Sequence, residues 1–122
     1  MSRIRSKETG FEQKVFVELK KRGVRFKTHY VEVAGKPDIA LPGLKKAVLL
    51  HSDFWHGWRL SQWEHILPSD FWKEKLHKNR IRDKKVLRIL RKQGWKVLVV
   101  WQHQIKSDRD AAIAKIVRFL AP

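Results

Sequence analysis

Two continuous apolar runs, Ala47-Val48-Leu49-Leu50 and Val97-Leu98-Val99-Val100, stand on either side of a long amphipathic stretch. Short apolar runs bounded by polar residues read as strands covered on both faces. Pro68-Ser69-Asp70 opens the stretch between them and Gly94 closes it, which predicts a helix from about Phe71 to Gln93. A chain that leaves a sheet through a long helix and returns tends to run parallel to an earlier strand. Val97–Val100 is therefore expected beside such a strand. The class is α/β, with a central mixed β-sheet flanked by helices.

The other elements fit around this unit. Phe11, Val15, Phe16 and Leu19 have helical spacing, Thr9 or Ser6 can cap that helix, and Gly23 ends it. Residues 1–8 read as a basic N-terminal arm. Val24 to Val33 is β-rich and partly alternating, Gly35-Lys36-Pro37 is a turn, and Asp38 to Leu41 is a strand. Pro42-Gly43 turns that strand into Ala47–Leu50. Residues 108–120 read as a closing helix, with Asp108 as cap and Ala111, Ala114, Val117 and Leu120 facing inward. Two helices can cover each side of the sheet. The 122 residues suit one domain, 1–122, with one hydrophobic core.

Composition narrows the function classes. There is no cysteine, which excludes a disulfide scaffold and a thiolate metal site. No apolar run approaches the ~20 residues of a membrane span, and the N-terminus lacks the apolar centre of a signal peptide. A cytoplasmic, nucleoid-associated location follows as the default. The net charge of +16 favours a polyanionic partner, nucleic acid first. Between Lys73 and Lys96 eleven Lys or Arg face two acids, so Lys75, Lys78 and Arg82 are candidates for phosphate contact. A solvated helix face is the simpler alternative. A membrane surface fits less well, because these cations lie opposite a core stripe and not beside exposed apolar residues.

Chemistry concentrates where the short strands end. Asp38 opens one strand, His51 closes the next, and His56 follows five residues later. A carboxylate and imidazoles at strand ends can hold a metal ion and activate water. Glu12, at the buried edge of the first helix, either orients a site or is a first-turn acid favoured by the helix dipole. Phe54, Trp55, Trp58 and Trp63 show no clean period; they form a satellite core or a surface that stacks on bases. Asn79 and Asp83 interrupt the apolar stripe of the long helix. Buried polar groups need partners, so Asn79 is expected to bond toward the aromatic loop and Asp83 to an Arg. Together with the charge, these groups point to phosphodiester hydrolysis. Asp38 suits Mg²⁺, a hard cation that prefers oxygen, and His56 can exchange a proton near neutral pH.

The sequence also resembles the very short patch repair endonucleases, bacterial DNA mismatch nickases with a restriction-endonuclease-like three-layer fold. The resemblance runs from Met1 to about His103. It rests on Met1-Ser2-Arg3-Ile4-Arg5-Ser6-Lys7 with Glu12, Gly35-Lys36-Pro37-Asp38, His51, Phe54-Trp55-His56-Gly57, Asp70-Phe71-Trp72, Lys78-Asn79, Arg82-Asp83 and Gly94-Trp95 through Trp101.

The resemblance implies roles for particular residues. Asp38 and the backbone carbonyl of Leu50 would bind the metal. His56 would activate water, with His51 and Glu12 as further site residues. Phe54, Trp55 and Trp72 would wedge into the duplex, and Met1 with Arg3, Arg5 and Lys7 would form an arm on the DNA. It further implies Mg²⁺ with Mn²⁺ able to substitute, double-stranded DNA as partner, and a T:G mismatch nick leaving a 5′-phosphate. A mismatch-repair ATPase or a DNA methyltransferase system would be the associated machinery. A monomer is expected, with a dimer as the alternative.

The family's structural zinc positions are occupied here by Asp53, Trp58, Leu60 and His103, so no structural zinc is expected. The rebuilt region leaves two other readings: cleavage of fully paired duplex at a specific site, and DNA binding without catalysis.

Overall fold

The structure, a computed structural model, describes residues 2–122, with side chains from Gly10 onward. Met1 and the side chains of Arg3, Arg5 and Lys7 lie outside the described residues. Helix α1 (Ser2–Lys21) leads into β1 (Lys27–Thr28) and β2 (Ile39–Leu41). A 3₁₀ turn at Pro42–Leu44 joins β2 to β3 (Lys46–His51). Next come α2 (Leu60–Trp63), a second 3₁₀ turn at Glu64–Ile66 and the long helix α3 (Asp70–Lys92). The chain ends with β4 (Lys96–Trp101), α4 (Gln102–Ser107) and α5 (Arg109–Leu120).

The sheet order is β1-β2-β3-β4. The β2–β3 pair is antiparallel and β3–β4 is parallel, with Val48 opposite Leu98. This is the mixed sheet expected from the crossover through α3. Alternation along the strands splits the core in two. Ile39, Val48, Leu50 and Val100 face α1, α4 and α5, where they meet Phe11, Val15, Leu19, Ile105, Ile113 and Ile116. Ala40 and Ala47 face the other way, toward Leu90, Val86 and Trp95. Three helices thus cover one face and α3 alone covers the other, in place of two on each. The small alanines let α3 approach closely, and one long helix spans that side.

Three local expectations are corrected. Only Lys27–Thr28 of the Val24–Val33 stretch is a strand; the following residues turn, with His29 and Gly35 both at positive φ. Helix α1 already runs from Ser2, so residues 2–8 are helical and not an arm, neither Ser6 nor Thr9 stands at its start, and Glu12 is not in its first turn. The inward face of α5 is Ala112, Ile113, Ile116 and Leu120, while Ala111 is exposed. Burying two isoleucines outweighs burying two alanines. The Asp108 cap is as expected, its side chain accepting from the Ala111 N–H at 3.1 Å. No described helix is long and apolar enough to cross a membrane.

Candidate active site

Strand β3 outruns β2. Its last pair with β2 is Val48 with Ile39, while Leu50 and His51 stay paired to β4. The backbone groups that β2 leaves unmatched meet Asp38 instead: the Leu50 N–H donates to Asp38 Oδ2 at 2.7 Å. In an antiparallel pair, one residue's N–H and C=O point to the same neighbour. The Leu50 carbonyl is therefore directed to the side where Asp38 stands.

A cleft of about 840 Å³ opens between this edge and α3. Asp38, Leu50, His51, Trp55, His56, Asn79 and Asp83 line it, and Lys36, Lys75 and Arg82 place cations at its wall. Lys78 is exposed on α3 outside this lining.

Helix α3 grips the aromatic loop with an i, i+4 pair. Asn79 Nδ2 donates to the Trp55 carbonyl at 2.9 Å, as expected. Asp83 was expected to meet an arginine; its Oδ2 lies 2.7 Å from His56 Nδ1 instead. Gly57, at φ +65°, permits the approach, since a Cβ there would stand 2.9 Å from Arg80 Cδ. Consecutive residues 55 and 56 are thus held by side chains one helical turn apart.

His51 stacks face to face on His56, with centroids 3.8 Å apart and planes 5° apart, and meets Trp101 edge-on at 5.0 Å. Burial lowers its pKa to about 4; the neighbouring His56 imidazole adds to the shift, the Asp83 carboxylate opposes it, and Arg82 lowers it further. His51 is neutral at pH 7. Its Nδ1 is buried without a protein partner among the described residues. His51, His56 and Asp83 lie close enough to share an ion. Stacked imidazoles, however, hold their in-plane lone pairs parallel, so those pairs do not converge on one cation. This cluster suits proton transfer better than ligation.

A second cluster suits a cation. One donor atom each from Glu12, His29 and Asp38 lie within 4.8 Å of one another. Glu12 Oε2 is 3.1 Å from His29 Nε2. The two carboxylates, with the Leu50 carbonyl aimed at Asp38, form an oxygen-rich set that fits a hard divalent ion. His29 and Lys36 were not singled out from the sequence. His29 fell in a stretch read as strand and Lys36 in a turn, and both sit at left-handed positions, φ +47° and +45°.

Four of the loop and α3 aromatics form one contact group. Phe54 meets Trp55, Trp63 and Trp72 at 5.2 to 5.9 Å, and Trp55 meets Trp72 at 5.8 Å. Phe71, which meets Trp72 edge-on at 5.7 Å, is largely exposed. Below the loop, Asp53 Oδ1 is 2.8 Å from His103 Nδ1, and Trp58 packs on the His103 ring at 4.4 Å. Leu60 is fully buried.

A mixed sheet between helical layers is a restriction-endonuclease-like α/β fold, and Asp38 and the His56–Asp83 pair line its basic cleft. The family model for the DNA mismatch endonuclease Vsr matches residues 1–62. The type II nicking enzyme V.XorIIP of Xanthomonas oryzae pv. oryzae is 37% identical over 127 residues, covering 100% of this chain and 90% of the relative. V.NmeAIP of Neisseria meningitidis is 41% identical over 109 residues, covering 88% and 77%. The DNA mismatch endonuclease Vsr of Escherichia coli is 28% identical over 108 residues, covering 88% and 69%. The chain belongs to the Vsr family of DNA endonucleases, hydrolases of the phosphodiester bond.

Proposed function

We propose that the protein is a Mg²⁺-dependent endonuclease that nicks one strand of duplex DNA at or near a T:G mismatch and leaves a 5′-phosphate. The observation that carries the reading is the cleft with Asp38 on one wall and the His56–Asp83 pair on the other. Asp38, Glu12 and the Leu50 carbonyl would hold the metal, which when bound offsets the charge developing on the phosphate. With Asp83 accepting from Nδ1–H, His56 Nε2 carries the lone pair and takes the proton from the attacking water. Asp83 fixes that tautomer and stabilises the imidazolium. His51, neutral and buried, packs on His56 and limits its motion.

The aromatic group supports the mismatch part of the proposal. Trp55 lines the cleft, and Phe54 and Trp72 pack on it, so apolar rings lie beside the scissile position. Rings so placed can wedge between base steps, which costs least where pairing is already weak. Lys75, Lys78 and Arg82, with Met1 and the first turns of α1 at Arg3, Arg5 and Lys7, would bind the backbone.

The test compares supercoiled plasmid and labelled duplexes that differ only in one T:G pair, with and without Mg²⁺, for wild type and Asp38→Ala. A metal-dependent nick on the T-containing strand, lost in the variant, is expected. Cleavage of paired duplex would keep the chemistry and overturn the mismatch assignment. Tight binding without cleavage by either form would favour the non-catalytic reading.

A further inference from the structure

We propose that His29 completes a mixed nitrogen–oxygen cation site with Glu12 and Asp38, and that this site takes Mn²⁺ in preference to Mg²⁺. The inference rests on the reading of Asp38 as a metal ligand. Two ligands on one octahedral cation at ~2.2 Å stand about 3.1 Å apart when adjacent and about 4.4 Å apart when opposite. The Glu12 Oε2 to His29 Nε2 separation of 3.1 Å, a hydrogen bond between the two side chains, also equals the adjacent spacing, and all three donors fall within 4.8 Å. Small rotations bring such a set onto one ion.

The imidazole is placed by the fold and is not a loose surface side chain. His29 sits at φ +47°, a conformation few non-glycine residues adopt. Its N–H donates to the Asp38 carbonyl at 3.1 Å, which ties its backbone to the residue whose carboxylate it joins. Its ring packs edge-on against Phe16 at 5.7 Å, on the same helix as Glu12. The left-handed turn thus directs the ring back over α1. Because the side chain is 54% exposed, ions from solvent reach it.

The donor chemistry supplies the preference. Mg²⁺ demands oxygen ligands and gives up water reluctantly. First-row transition cations accept imidazole, and Mn²⁺ is the one among them that still favours carboxylates and water. Glu12 and Asp38 alone discriminate little, because both ions accept carboxylates; the His29 nitrogen widens the gap.

The test measures Mn²⁺ binding to the protein without DNA, from loss of the free-ion electron paramagnetic resonance signal, with Mg²⁺ as competitor. Wild type is expected to bind Mn²⁺ at least about tenfold more tightly than Mg²⁺. His29→Gln keeps a hydrogen bond to Glu12 and offers oxygen for nitrogen. It should weaken Mn²⁺ about tenfold while Mg²⁺ stays within about twofold. His29→Ala should weaken Mn²⁺ likewise, and Asp38→Ala should abolish both. If His29→Gln leaves Mn²⁺ affinity unchanged, or weakens both ions alike, His29 only orients Glu12 and the inference is wrong. Absence of Mn²⁺ binding by wild type also overturns it. Mg²⁺-supported nicking that persists in Asp38→Ala would sink the metal reading itself. Nicking lost in that variant with no ion discrimination at His29 would remove His29 alone.

Discussion

Asp83 is the residue whose role depends most on its neighbour. Alone in the apolar stripe of α3 it is a half-buried acid in need of a partner; 2.7 Å from His56 it sets a tautomer. Asp83→Asn keeps the shape and removes the charge. Cleavage is expected to fall by ~10²–10⁴-fold, the usual loss when a base is left in the wrong tautomer or without its counter-charge. DNA affinity should hold within about twofold, because Asp83 meets imidazole and not phosphate. Single-turnover cleavage beside a binding titration separates the two; an equal loss in both would mean that Asp83 acts by holding the loop. His51 gives a stability signature. Its folded pKa, about 4, lies below the ordinary 6.5, so the unfolded chain takes the proton first as pH falls. Stability is full above about 6.5 and declines toward 4. The linkage is at most roughly 2 kcal/mol between pH 7 and pH 5. Urea unfolding of wild type and His51→Gln in EDTA at those two pH values should show a smaller pH dependence in the variant. Equal dependence would mean that His51 titrates as in water.

At the scale of elements, the strong periods were legible and the irregular segments were not. The apolar runs of β3 and β4 and the stripe of α3 follow from spacing alone, because burial rewards those patterns wherever they occur, and the turn at Pro42 follows from Pro-Gly. The face of α5 was misread because Ala111, Ala114 and Val117 mimic a stripe, while Ile113 and Ile116 carry more apolar area. Asn79 found its partner on the aromatic loop as expected. The His56–Asp83 contact was not legible, because it joins residues 27 apart whose meeting depends on the crossover geometry. Val24–Val33 failed as a strand because left-handed residues there carry His29 and the turn before Asp38. Gly35 shows what that turn requires. It lies at φ +77°, and a Cβ would stand 2.4 Å from Val86 Cγ1 on α3. Gly35→Ala is expected to cost roughly 2–4 kcal/mol by adding left-handed strain to overpacking. Adding Val86→Ala should return part of it, a non-additivity that denaturant titration of the single and double variants would reveal. Simple addition of the two losses would mean that the turn moves away without strain.

The whole molecule separates its charge from its core. Helix α3 alone covers its side of the sheet, so its outer cations, Lys78 and Arg82 among them, stand at the same face as the cleft. Lys115 is equally exposed but lies on α5, which packs the opposite face. The net charge of +16 would attract DNA whichever face met it, whereas a docked duplex touches one. Salt dependence distinguishes these cases. Each phosphate contact removed lowers the slope of log K against log salt by about 0.9, while a charge outside the footprint changes affinity with little change in slope. Lys78→Gln and Arg82→Gln are each expected to lower the slope by about that amount, and Lys115→Gln to leave it unchanged. The measurement is duplex affinity across a salt series for the three variants in EDTA, which prevents cleavage during binding. Equal effects from all three would mean that the charge acts as a diffuse field and that α3 is not the docking face. A loss confined to Lys78 and Arg82 would put the backbone on the same side as Asp38 and His56, which single-strand cleavage from one cleft requires.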